Sequence, residues 1–197
     1  MKAVIASVPQ QLLESRRRTG ADQWDEMWEG VLHMAPSPNR EHQALEYQLH
    51  RWLDDHWATP SGGRVYEQIN VAGSGKWTEN YRIPDLVLLT PERFHIDRNE
   101  YFDGGPDAVI EIHGPGDESY EKLEFYSKLG VREVWIIDRD SKQPEIFEAA
   151  SGGYRPCEPN EGSWTQSRVT SCEMRPGAED KLEIRVIGHP ETVAALP

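Results

Sequence analysis

Apolar residues recur along this chain with two different periods, and the switches between them mark its elements. In "REHQALEYQLHRWLDDHW", His42, Leu45, Leu49, Trp52, Leu53 and His56 fall at helical spacing, so one face is apolar. Ser37 and Asn39 are both competent N-caps, and Pro38 suits a first helical position. The pattern predicts a helix over about residues 38–57. "IPDLVLLT", "DAVIEI" and "EVWIID" are short and apolar, as buried strands are. Between the last two runs "SYEKLEFYSKLG", whose spacing predicts a second helix over about 118–129. The "IPDLVLL" and "AVIEI" strands are expected to be neighbours.

The remaining pattern is less regular. Residues 5–15 read as a short amphipathic helix, with "SRRRTG" a solvated turn after it. "EMWEGVLHMAP" suggests a hairpin bending near Glu29-Gly30, and "RVYEQINVA" a strand. "GSGKWTENYR" is a turn; it lacks the spacer and the Ser/Thr of a phosphate-binding loop. "PERFHIDRNEYFDGGP" is a surface loop or short helix, and "QPEIFEAASGGYRPCEP" a hairpin turning at Ser151–Gly153. More strand-like pieces follow over 161–188, ending in "KLEIRVIG". There is no internal repeat. The whole of 1–197 therefore reads as one α/β (α+β) domain, a mixed central sheet flanked by helices, with a strand-rich extension from about 141.

Composition narrows the function classes. Hydrophobic residues make up 37%, with seven Trp and seven Tyr, which argues against disorder. The formal net charge of −13 opposes any role needing a broad basic face for phosphate backbones, though not a local one. No apolar run is long enough to span a bilayer, and the first apolar patch is too short for a secretory signal, so the expectation is a soluble cytoplasmic protein. Cys157 and Cys172 lack neighbours at ligand spacing and are expected to be two unpaired thiols.

Two charged residues stand where core is expected. On the second helix, at ~100° per residue, the mean direction of Leu123, Phe125, Tyr126 and Leu129 lies within ~15° of Lys122. Glu121, Glu124 and Lys128 fall on the outer side. Lys122 must therefore snorkel out or meet an anion. Strand alternation puts Glu111 on one face with Val109 and His113. Asp85 opens the "DLVLL" run. Two carboxylates at the ends of adjacent strands can hold a divalent ion through hard oxygen ligands. Such an ion activates water and neutralises phosphodiester charge, and a nearby lysine can orient the nucleophile or stabilise developing charge. Without an ion, Lys122 would be the natural counter-charge to both carboxylates.

The order Pro-Asp, then a strand with Glu, then Lys resembles the PD-(D/E)XK nuclease superfamily. "WEGVLHMAPSPNREHQALEYQLHRWL", "IPDLVLL" and "VIEIHGPGDESYEKLEFYSKLGVREVWIID" together resemble, more narrowly, the Uma-type family of restriction-endonuclease-like proteins, from about Glu26 to Asp138. In that family the lysine lies on the helix after the strand, not two residues beyond the glutamate. The resemblance implies a metal-dependent endonuclease acting on DNA with Mg²⁺ or Mn²⁺. Asp85 and Glu111 would be metal ligands and Lys122 the catalytic lysine. His42 matches the family's histidine in the first turn of the long helix, and Glu29 an early acidic position near the site. His113 stands where the superfamily's usual lysine would be, and Gly114-Pro115-Gly116 replaces a common Ser-Pro-Ser. A homodimer would let a single-site nuclease cut both strands.

A second class of function stays open at this point. Lys122 could bridge Glu111 and Asp85 as a buried structural ion pair in a catalytically idle or binding protein. Divalent-metal binding separates the two. A glycosidase using Asp85 and Glu111 as acid and base fits the carboxylates but leaves Lys122 without a role. DNA and RNA are not distinguished.

Overall fold

The computed structural model describes residues 3–5, 9–20, 22–35 and 37–197. Its central sheet has six strands in the spatial order Gly153–Pro156, Pro144–Ala150, Glu133–Asp138, Ala108–His113, Leu86–Leu89 and Arg64–Glu67. Ala108–His113 and Glu133–Asp138 run parallel, joined by a crossover that contains the helix Leu123–Leu129. Leu86–Leu89 runs antiparallel to Ala108–His113, pairing Leu86 with Ile110 and Leu88 with Ala108. The expected adjacency is present. It brings Asp85, the residue before Leu86, opposite Glu111.

The two faces of this sheet feed two cores. Ala108, Ile110, Ile112 and Trp135 pack against Leu45, Leu49, Trp52 and Leu53 of the helix Arg40–Leu53. Met174, Leu182, Ile184 and Leu196 of a four-stranded C-terminal sheet join the same core. On the other face Val109, Val134 and Ile136 meet Phe125 and Tyr126 from Leu123–Leu129, with Val71 and Phe102 from a third, six-stranded sheet. Burial on both faces is why these strands read as continuous apolar runs. Helix Leu123–Leu129 is held close at its end. A Cβ on Gly105 would lie 2.5 Å from Gly130 C, Leu129 O and Val131 N, so only glycine fits there.

Several boundaries differ from the sequence expectation. The first helix is Gln10–Thr19, not 5–15, and residues 6–8 lie outside the described residues. Arg16–Arg18 occupy its last turn rather than a following turn, where they complement the helix dipole, and Gly20 at φ 69 ends it. Asn39, not Ser37, caps the long helix: its Oδ1 accepts from His42 N at 2.9 Å. A π-helical turn, Asp54–Ala58, and a short helix, Thr59–Ser61, extend it past 57. The second helix begins only at Leu123, because turns occupy the loop after Gly114. Lys122 nonetheless has helical φ and ψ, so its angular position holds. "RVYEQINVA" is two strands in different sheets, Arg64–Glu67 and Asn70–Ala72, broken at Gln68 with φ 50. The final strand His189–Leu196 carries Pro190 and lies at a sheet edge, where a missing N–H is tolerated. The hairpin at Glu29-Gly30 has both residues at positive φ, 50 and 84, as a tight two-residue turn requires. The second hairpin turns at Ser151-Gly152, and both cysteines are free thiols. Among the described residues no helix is long and apolar enough to cross a membrane.

Candidate active site

A cavity of about 190 Å³ opens at the end of the central sheet where Asp85 and Glu111 lie. Its carboxylates are Glu26, Asp85, Glu111, Asp117 and Glu118, and its permanent cations among the described residues are Lys122 and Arg139. Lys122 lies at its buried end. The Lys122 Nζ is 2.8 Å from Glu111 Oε2 and 2.8 Å from Glu26 Oε1. Lys128, one and a half turns on, is exposed and pairs with Glu124. The other Glu111 oxygen accepts from Tyr126 Oη at 2.6 Å. Glu26 comes from the hairpin strand Asp25–Trp28; its carboxylate also accepts from Trp28 Nε1 at 2.7 Å and Ile83 N at 2.8 Å.

Asp85 joins this ion-pair group to the long helix. Its Oδ2 accepts from Ile112 N at 2.6 Å, and its Oδ1 lies 2.9 Å from His42 Nε2. One turn along, Glu46 Oε2 is 3.8 Å from the same imidazole nitrogen. His42, Glu46 and Asp85 each offer a ligand atom within 4.8 Å of the others, a spacing that could hold a metal ion.

The excess of carboxylates shifts proton affinities in linked ways. Burial pushes Glu111 up to about 7; Lys122 opposes the shift, while Asp85 and Glu26 add to it. Burial also pushes Glu46 up to about 7, with the Asp85 charge adding to it. For Lys122, burial favours the neutral amine, but Glu111 and Glu26 outweigh it and hold the group a cation well above its ordinary range. His42 behaves alike: burial opposes its charge, and its hydrogen bond to Asp85 with the Asp85 and Glu46 charges raises its pKa.

The family model described as "Uma2: Putative restriction endonuclease" matches residues 10–175. The chain belongs to the Uma2 family. No curated protein matches it significantly. Among solved structures it is similar to one described as "a putative nuclease belonging to DUF820 from Anabaena variabilis", at 18% identity and a TM-score of 0.56, covering 68% of this chain and 75% of that one. At that identity the likeness concerns the fold.

This Uma2 chain gathers some of the residues singled out in the sequence and leaves others apart. Asp85, Glu111, Lys122 and His42 line one cavity. Glu29 does not join them. It occupies the exposed turn, and the acidic residue that reaches Lys122 is Glu26, three positions earlier. Alternation carried the signal, since Glu26 shares a strand face with Trp28 whereas Glu29-Gly30 is the turn itself. His113 lies outside the cavity lining, 3.2 Å from Ser119 Oγ and edge-on to the Tyr120 ring. Glu46 was also missed, although its place four residues after His42 puts it ~40° away on the same helix face. Gln68 had no such signal. It donates Nε2 to both Glu46 oxygens, at 3.1 and 3.2 Å, and accepts from Trp24 Nε1.

Proposed function

We propose that this Uma2 protein is a metal-dependent nuclease that hydrolyses DNA phosphodiester bonds with Asp85, Glu111 and Lys122, and that Asp85 and Glu111 contact Mg²⁺ or Mn²⁺. The observation that carries this is the placement of a buried ammonium between two carboxylates, beside a third, in an open cavity. The donor set suits a hard divalent ion. Each carboxylate oxygen has two acceptor sites, so Glu111 keeps capacity after binding Lys122 and Tyr126. Five lining carboxylates against two permanent cations leave negative charge for an ion to offset. When bound, such an ion supplies charge neutralisation and acidified water.

The chain's own groups divide the remaining tasks. Lys122 has three N–H donors and spends two on Glu111 and Glu26, which leaves the third for a phosphate oxygen. Its raised pKa makes it a fixed cation rather than a proton acceptor. Tyr126 and Ile112 N hold Glu111 and Asp85 in place.

The test is nicking of supercoiled plasmid with Mg²⁺, with Mn²⁺ and with EDTA, alongside an RNA substrate. Wild type is expected to nick DNA only with metal, and Glu111→Ala to lose on the order of 10³-fold. Metal-independent nicking, or full activity in Glu111→Ala, ends the proposal. One observation favours a second reading. Lys122 pairs directly with Glu111 and, rather than with Asp85, with Glu26, and Tyr126 donates to Glu111. In a catalytically idle protein this group would be a structural ion pair, and Mg²⁺ or Mn²⁺ would leave the melting temperature unchanged.

A further inference from the structure

The long helix brings a second set of ligands to Asp85, separate from the Glu111 side. His42 and Glu46 lie one turn apart on Arg40–Leu53 and both face Asp85. Two ligands about 2.1 Å from one ion, at 90–110°, stand roughly 3.0–3.4 Å apart. The observed separations of 2.9 and 3.8 Å from His42 Nε2 bracket that span, and all three ligand atoms lie within 4.8 Å of one another, so side-chain adjustments close the trio around one ion.

The residues behind the trio hold it in position. Gln68 has φ 50, a left-handed conformation uncommon for a residue other than glycine. Its backbone N donates to Asp85 O at 3.0 Å while its side-chain amide donates to Glu46. One strained residue thus ties two of the three ligand-bearing residues together, and Trp24 Nε1 fixes its amide orientation. Ile112 N holds the far oxygen of Asp85.

Charge also separates the two sides of Asp85. Glu111 has an ammonium at 2.8 Å, which offsets part of its charge. Glu46 has instead the neutral amide of Gln68 and an imidazole that can serve as a ligand. The imidazole decides the class of ion: Mg²⁺ prefers oxygen ligands and retained waters, whereas Mn²⁺ and its first-row neighbours accept nitrogen. We propose that His42, Glu46 and Asp85 form a site for a first-row transition ion of the Mn²⁺ class, which sets the ion preference of the protein. The proposal deepens the nuclease reading and rests on it only through the shared Asp85.

Titration calorimetry with Mn²⁺ and with Mg²⁺ tests it on the full chain, in wild type, His42→Ala, Glu46→Gln and Glu111→Gln. Mn²⁺ is expected to bind at least about tenfold more tightly than Mg²⁺, and His42→Ala and Glu46→Gln to weaken Mn²⁺ by about 10–100-fold or more. Glu111→Gln, which removes a carboxylate contact open to either ion, is expected to weaken Mn²⁺ and Mg²⁺ alike, without the Mn²⁺-selective loss of the two helix variants. Electron spin echo spectroscopy of Mn²⁺ on wild type needs no variant: coupling to an imidazole nitrogen is expected, and a spectrum without nitrogen coupling overturns the proposal. Loss of Mn²⁺ binding in Glu111→Gln but not in His42→Ala also overturns it, while leaving a metal-dependent nuclease on the carboxylate pair. If neither ion binds wild type, the trio and metal dependence fall together, and plasmid nicking then reports separately on the nuclease reading.

Discussion

Glu111 and Glu133 are the same residue type, nearly equally buried, on neighbouring parallel strands. They sit at opposite ends and, by alternation, on opposite faces. Glu133 is surrounded by neutral donors: Trp135 Nε1 at 3.0 Å, Ser167 Oγ at 2.7 Å, Arg168 N at 2.7 Å and Val169 N at 3.1 Å. It clamps the loop before Cys172–Pro176 onto the central sheet, and its acceptor capacity is used by the fold. Glu111 faces an ammonium, a phenol and two further carboxylates, beside a cavity. Burial alone therefore says nothing about function. What separates the two is whether a carboxylate's partners leave surplus charge and an open approach.

The sharpest way to break this contrast is activity. Glu111→Gln is expected to lower plasmid nicking by on the order of 10³-fold, while Glu133→Gln stays within about threefold of wild type per folded molecule. Equal losses would make both residues structural.

Stability is expected to run the other way. Glu133→Gln replaces an acceptor oxygen with a donor against buried N–H groups, and should cost about 3 kcal/mol in urea unfolding. Glu111→Gln, measured without metal at pH 8, should change stability by less than about 1 kcal/mol, because Lys122 keeps Glu26 and one like charge is removed.

The pH dependence follows from the raised carboxyls. Glu46 and Glu111 go from an ordinary 4.5 to about 7 in the folded chain, so the native state binds more protons across that window. Stability is then fullest at the acid side of the window and falls as pH rises through it. His42, also raised, adds in the same sense: its contribution is full below its ordinary 6.5 and is lost as pH passes its folded value. Metal-free protein should lose on the order of 2 kcal/mol between pH 5 and 8. Glu111→Gln should flatten the curve and Glu133→Gln should not; identical curves would remove the electrostatic half of the contrast. The smallest effect belongs to Tyr126→Phe, which removes one hydrogen bond to Glu111 and should cost about 1 kcal/mol in thermal unfolding.

Local periodicity explains what could be read in advance. The inward angle of Lys122, the alternation around Glu111 and the turn at Glu29-Gly30 all depend on consecutive residues, so the sequence by itself determined them. It also determined that the Asp85 and Glu111 strands are core strands, since Leu86–Leu89 is apolar throughout and Ala108–His113 is apolar apart from Glu111 and His113. The partner of Lys122 was another matter. Glu26 reaches it from a hairpin in a different sheet, whereas Glu29 lies exposed in the turn of that hairpin, outside the cavity lining. The meeting of His42 and Glu46 with Asp85, and the positive φ of Gln68 that ties two of these residues together, were likewise decided by packing of the long helix on the strand ends. Such contacts join residues far apart in the chain, and their distances depend on how whole elements dock, which no local period encodes. Side-chain direction belongs to the sequence; which charges share one cavity, and therefore which proton affinities shift, belongs to the tertiary structure.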